Sequence, residues 1–157
     1  MLRRIKVILL DVDGVMTDGG IYYSGRGEEL KRFNTKDGYG IVKAQQLGIK
    51  VGIITGRVSK IVKKRAEELG ILEVHQNQED KIEAYRRIKS KFKLDDAEIA
   101  YIGDDEPDLE VLRFAGFSAA PADAADCVIR EVDYVCRKKG GKGAVREVID
   151  LILDSQS

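Results

Sequence analysis

Ile5-Lys6-Val7-Ile8-Leu9-Leu10-Asp11-Val12-Asp13-Gly14 decides the fold class. A nearly continuous apolar run of six residues is too short for a core helix. It stops abruptly at two acids and a glycine, which reads as a strand buried on both faces with carboxylates at its end. Two arginines and a short apolar run also open a signal peptide, but no small-residue cleavage site follows here.

The same pattern recurs along the chain. Residues 51–54 and 99–102 are apolar runs ending at Thr55-Gly56-Arg57 and at Gly103-Asp104-Asp105. Weaker strands are expected around Val74, at 117–119 and at 127–129. Helical periodicity fills the intervals at 38–47, 59–69, 80–92, 106–114 and 144–153, with Gly48, Gly70 and Gly116 as stops. Strand–helix alternation with short connections predicts a three-layer, Rossmann-like α/β domain, with a parallel sheet covered by helices on both faces. A β-hairpin inserted at about residues 19–33 breaks the alternation, its strands 21–24 and 29–33 joined by Gly25-Arg26-Gly27. The remaining intervals are too short for a cap domain, so residues 1–157 are expected to form one domain.

Composition narrows the function. With 27 basic and 27 acidic side chains, no net field recruits nucleic acid or an anionic membrane, so an anion must be bound by a local site. Charged runs such as residues 60–68 read as solvated helix faces. Cys127 and Cys136 have neither CxxC spacing nor a histidine cluster, which excludes zinc and fits a reducing compartment. No run reaches membrane-spanning length. A cytoplasmic protein is expected.

Ligands of open parallel sheets sit beyond the carboxyl ends of the strands. Four polar clusters fall there in chain order: Asp11-Val12-Asp13-Gly14, Thr55-Gly56-Arg57, Lys81, and Gly103-Asp104-Asp105-Glu106-Pro107-Asp108. Singly, each reads as a helix cap, a turn or a surface lysine. Together they match the needs of phosphate-monoester hydrolysis. A carboxylate attacking a phosphate dianion is repelled unless positive charge offsets both. Asp11 and Asp104 suit Mg²⁺, a hard cation that prefers oxygen ligands. Lys81 adds a second positive charge, Thr55 offers a hydrogen bond to a phosphoryl oxygen, and Gly14 lets backbone amides approach. Asp11 reads as the nucleophile, and Asp13 as the acid that protonates the leaving group and then activates water. Asp105 and Asp108 read as supports for Lys81 or the metal's waters.

These clusters resemble the haloacid-dehalogenase superfamily of phosphatases. Residues 11–19, the hairpin, Phe33-Asn34-Thr35-Lys36-Asp37-Gly38-Tyr39-Gly40, Ile53-Ile54-Thr55-Gly56-Arg57 and residues 140–147 resemble more narrowly its 3-deoxy-D-manno-octulosonate 8-phosphate phosphatases of lipopolysaccharide synthesis. The resemblance implies a cytoplasmic, Mg²⁺-dependent, cap-less homotetramer acting on a small anionic sugar phosphate. It implies Asp11, Asp13 (through its backbone carbonyl) and Asp104 as metal ligands. It also implies Asn34, Thr35, Lys36, Asp37, Gly38, Arg57, Arg65 and Lys81 as substrate positions. Arg57 and Arg65 suit a carboxylate. Two departures are evident: the last acidic motif is one residue short, and Val42 stands where many members carry arginine.

Other readings are a non-catalytic regulatory homologue, which the intact acids and Lys81 oppose, and a phosphatase of a nine-carbon keto-sugar acid 9-phosphate. A two-component receiver domain orders its acids, threonine and lysine differently. His75 reads as a strand-end residue. Gly140-Gly141-Lys142-Gly143 lacks the ending of a P-loop, leaving a flexible lead into the last helix or a segment that closes on substrate.

Overall fold

The computed structural model describes the backbone of residues 1–157 and the side chains of all but Glu29. In chain order the elements are β1 (Val7–Leu10), β2 (Tyr22–Ser24), β3 (Gly27–Leu30), α1 (Thr35–Gln46), β4 (Lys50–Ile54), α2 (Lys60–Leu69) and β5 (Glu73–His75). There follow α3 (Lys81–Lys91), β6 (Ile99–Ile102), α4 (Leu109–Phe114), β7 (Phe117–Ala120), α5 (Asp126–Ile129), β8 (Tyr134–Val135) and α6 (Ala144–Gln156). Six strands form one parallel sheet in the order β5-β4-β1-β6-β7-β8. β2 and β3 pair separately as the antiparallel hairpin.

The central strand shows why both faces need cover. Ile8 and Leu10 pack into a core formed with Ile41 of α1, Val62 and Leu69 of α2, and Val148 and Ile152 of α6. Val7 and Leu9 point the other way, against Ile82, Tyr85 and Ile88 of α3, Val111 of α4 and Val128 of α5. Burying one such aliphatic side chain contributes about 1.5–3 kcal/mol, so a strand apolar on both faces is stable only between two helical layers. β1 lies between β4 and β6, and their carboxyl ends set Asp11, Thr55 and Asp104 along one edge.

Local signals account for most boundaries. The Asn34 side chain caps α1 by accepting from the amides of Lys36 and Asp37. The helix therefore begins at Thr35, three residues ahead of the apolar pattern. Ser59 caps α2, and Gly70 ends it in the left-handed region at φ 70°. The hairpin turns at Gly25-Arg26, so β3 starts at Gly27 and not at 29. One expected strand is corrected: residues 126–129 form the short helix α5, and the sheet's edge is Tyr134–Val135. Val128 is buried against Ala120 and Val111, and an apolar run of three residues does not distinguish a helix from a strand.

The glycine-rich segment before α6 is packed against the loop that follows β1. Gly141 N–H donates to the Val15 carbonyl at 3.2 Å, and Gly140 N–H donates to Asp123 Oδ1 at 3.0 Å. A Cβ at Gly140 would lie 1.9 Å from the Gly14 carbonyl oxygen. Close backbone approach therefore explains this glycine. Gly140→Ala is expected to cost about 1–3 kcal/mol, as overpacking does, and to lower the thermal midpoint by about 2–4 °C per kcal/mol. Thermal and urea denaturation followed by circular dichroism checks this; an unchanged midpoint would show that the two loops are not tightly packed.

Candidate active site

Asp11 follows β1, its N–H donating to the Ile102 carbonyl at 3.0 Å, and it is only 7% exposed. Lys81, the first residue of α3, reaches in from the opposite layer. Its ammonium lies 2.9 Å from Asp11 Oδ1 and donates to Asp108 Oδ1 at 2.7 Å. The buried Tyr101 hydroxyl donates to the same Asp108 oxygen at 2.5 Å. Asp108 Oδ2 accepts from the amides of Asp104 and Asp105 at 3.0 and 3.3 Å. With four donors, Asp108 has little capacity left and serves as the anchor of Lys81. Asp105 caps the short 3₁₀ turn that carries Asp108.

Asp11, Asp104 and Asp108 bring carboxylate oxygens within 4.8 Å of one another. Three buried or half-buried acids face one lysine, leaving two negative charges without a counterpart among the described residues. The electrostatics follow. Desolvation, then the charge of Asp108, pushes Asp11 above the ordinary carboxylate range against the pull of Lys81. Desolvation, then Asp11 itself, pushes Asp104 up. Burial opposes the charge on Lys81, but Asp11 and Asp108 together hold its pKa above the usual value. Excess negative charge lined by oxygen donors and free of thiolates fits a hard divalent cation. Since Asp108 is already committed, Asp11 and Asp104 are the side chains available to hold it.

Gly14 makes this approach possible. Its φ is +89°, and a Cβ there would sit 1.9 Å from Asp104 Oδ2. The Thr17 hydroxyl, fully buried, accepts from the amides of Gly14 and Gly19 and shapes the loop. Thr55 follows β4 and is 2% exposed; its Oγ1 accepts from the Arg57 amide at 3.4 Å. Asp13 stands at the mouth, with Oδ1 2.5 Å from Lys31 Nζ and Oδ2 3.8 Å from Arg57 Nε. The cleft encloses about 310 Å³ and is lined by Asp11, Asp13, Thr55, Arg57, Lys81 and Asp104, with Gln78 and Glu79 at its rim.

Sequence reasoning placed Asp11, Asp13, Thr55, Arg57, Lys81, Asp104, Asp105 and Asp108 together, and all eight line this cleft. The remaining positions that the resemblance assigns to substrate lie elsewhere in the chain. Asn34, Thr35 and Lys36 border a larger cleft of about 740 Å³ beside α6. Among the described residues that cleft has no buried acid cluster, so the chemistry belongs to the smaller one. Asp37 is buried and accepts from the Arg146 amide at 2.9 Å; burial pushes its pKa up to about 6. The Arg65 guanidinium lies over the Phe33 ring at 5.5 Å and beside Gly38, where a Cβ would come within 2.5 Å of it. Val42 packs half-buried against the core. His75 bonds Glu73 at 3.0 Å on the edge strand.

Two contributors escaped the sequence. Tyr101 sits in an apolar strand and reads as core. Lys31 sits in a charged stretch and reads as surface, yet its side chain is fully enclosed.

Three kinds of likeness agree with this geometry. A haloacid dehalogenase-like hydrolase model matches residues 58–149. A 3-deoxy-D-manno-octulosonate 8-phosphate phosphatase of Yersinia pestis is 48% identical over 153 residues, covering 98% of this chain and 82% of that protein. A crystal structure of the Yersinia pestis phosphatase superposes with a TM-score of 0.97 at 47% identity, over 99% of this chain and 84% of the other. A Moraxella catarrhalis phosphatase of the same name, solved with magnesium ion, phosphate ion and KDO, superposes at 0.96 with 43% identity, over 99% and 89%. Similarity this high over nearly the whole length makes the chain a member of the haloacid dehalogenase-like hydrolases and, within them, of the 3-deoxy-D-manno-octulosonate 8-phosphate phosphatase family.

Proposed function

We propose that this protein hydrolyses 3-deoxy-D-manno-octulosonate 8-phosphate to the free sugar acid and phosphate, as a cytoplasmic step of lipopolysaccharide synthesis. The observation that carries this reading is the buried set Asp11–Lys81–Asp108–Asp104, short of two positive charges, at the end of the central strand. Asp11 Oδ1 is held by Lys81, leaving Oδ2 to attack phosphorus. Asp13 protonates the departing sugar oxygen and then takes a proton from the water that cleaves the phospho-aspartate. Thr55 and Lys81 bind phosphoryl oxygens as charge moves onto them. Mg²⁺ held by Asp11, Asp104 and the Asp13 carbonyl would screen the repulsion between carboxylate and phosphate. Arg57 is the cleft's guanidinium for the sugar acid's carboxylate. Free cysteines at 127 and 136 fit a reducing compartment.

The assembly proposed is a homotetramer. The hairpin exposes Tyr22, Tyr23 and Leu30 at 60, 61 and 61%, beside the mouth of the cleft. Apolar side chains and an unpaired two-stranded edge at one place favour burial against copies of the same hairpin. Such packing would also set a neighbour beside Asn34–Gly38 and Arg65, the substrate positions that lie outside the cleft within one subunit.

Phosphate release is the direct test of the activity. With Mg²⁺, the eight-carbon sugar-acid phosphate is expected to turn over faster than a nine-carbon keto-sugar acid 9-phosphate or hexose 6-phosphates, and chelation is expected to stop turnover. Asp11→Asn should fall to background with an unchanged circular dichroism spectrum. Preference for the nine-carbon substrate would reassign the sugar, and no turnover of any phosphate would favour a regulatory homologue. For assembly, Tyr22→Glu with Leu30→Glu is expected to shift the sedimentation coefficient from tetramer to smaller species; Tyr23 is left intact because its hydroxyl bonds Arg57. A wild-type monomer with full activity would contradict the tetramer.

A further inference from the structure

The hairpin does more than present an apolar edge. Lys31, just after β3, turns its side chain inward until none of it is exposed. Its ammonium meets Asp13 Oδ1 at 2.5 Å and Glu28 Oε2 at 3.5 Å. Glu28 in turn accepts from the Ser59 hydroxyl at the start of α2 and lies 3.7 Å from Arg57 Nη2. A lysine is seldom enclosed unless it is paired. Here it joins the hairpin to one oxygen of the carboxylate that stands at the cleft mouth.

We propose that Lys31 is a positioning residue for Asp13: it holds Oδ1, fixes the rotamer, and leaves Oδ2 as the oxygen that exchanges the proton. This rests on the reading of Asp13 as the acid. The geometry distinguishes the two oxygens. Oδ1 is in a short charge-assisted bond, whereas Oδ2 has only the Arg57 guanidinium at 3.8 Å, and Arg57 Nε has no hydrogen-bond partner among the described residues. In the first step Oδ2–H gives its proton to the sugar oxygen as the P–O bond breaks and the Asp11–phosphorus bond forms. In the second, Oδ2 receives a proton from water as that oxygen bonds phosphorus and Asp11 leaves. Lys31 neither gains nor loses a proton in either step. Glu28 and Ser59 keep the ammonium in place, so the hairpin that mediates assembly also sets the acid's aim.

Leaving-group dependence separates positioning from a structural role. A sugar alkoxide needs a proton to depart; p-nitrophenolate leaves as a stable anion. The parameter kcat/KM reports steps up to phosphoryl transfer, before water attacks. Lys31→Met is expected to lower kcat/KM on the sugar-acid phosphate by on the order of 10²-fold, within the range a general acid supplies, and to lower it far less on p-nitrophenyl phosphate. Lys31→Arg should restore much of the loss, and it keeps the question answerable if the methionine variant folds poorly. Asp13→Asn measured in parallel should show the same leaving-group dependence. Equal losses on both substrates for Lys31→Met, with Asp13→Asn still discriminating, would overturn the role of Lys31 alone. Equal losses for Asp13→Asn would overturn the assignment of the acid and this inference with it.

Discussion

Everything at the site depends on Lys81 being held between Asp11 and Asp108. An ammonium 6% exposed has given up most of its hydration, a cost of several kcal/mol that only close opposite charges offset. Removing one partner of such a buried pair typically costs about 3–5 kcal/mol, so the three side chains stand or fall as a unit. The unit also ties the layers together: Asp11 comes from the central strand, Lys81 from α3 on one face, and Asp108 from the turn after β6. Asp108 can act as anchor because Tyr101 and two amides complete its hydrogen bonding.

This arrangement makes the site incomplete on purpose of charge. One ammonium cannot balance three carboxylates, and the surplus lines a cleft and not the apolar core. A protein built only for stability would replace such a cluster with apolar side chains. Retaining it makes sense where a cation and a phosphate dianion enter together, each supplying the charge the other lacks. Gly14 and Gly140 serve the same end by allowing the catalytic loop to lie against Asp104 on one side and the segment before α6 on the other.

Much of this was legible in the sequence, because strand ends are. An apolar run that stops at Asp-x-Asp-Gly announces both the strand and the place its acids occupy, and the other clusters lie at ends of neighbouring strands or helices. What stayed hidden depends on tertiary packing. Tyr101 looks like any aromatic in an apolar strand until its hydroxyl is seen on Asp108. Lys31 looks solvated until the hairpin folds over Asp13. Residues 127–129 read as a strand, but three apolar residues carry no period, and the segment folds as α5 with Val128 buried. Asn34–Gly38 and Arg65 were grouped with the substrate by resemblance; in the fold they form their own cluster around Phe33 and Asp37, separate from the catalytic cleft.

The central claim is that Asp11 and Asp104 hold surplus negative charge that a divalent cation completes, and proton linkage tests it most directly. Both carboxyls are raised above the ordinary value of 3.8 by burial first; Asp108 is the next cause at Asp11, and Asp11 is the next cause at Asp104. The cation-free folded state therefore binds protons that the unfolded state has already released. Its contribution from these groups is full below pH 3.8 and is lost as pH rises through their raised values. A cation must displace those protons, so it binds more weakly in acid. Calorimetric titration of the chelator-treated protein with Mg²⁺ at pH 5 and pH 8, in buffers of different ionisation enthalpy, should show tighter binding at pH 8 and more protons released at pH 5, both abolished by Asp104→Asn. Equal affinity at the two pH values with no proton release would contradict the account.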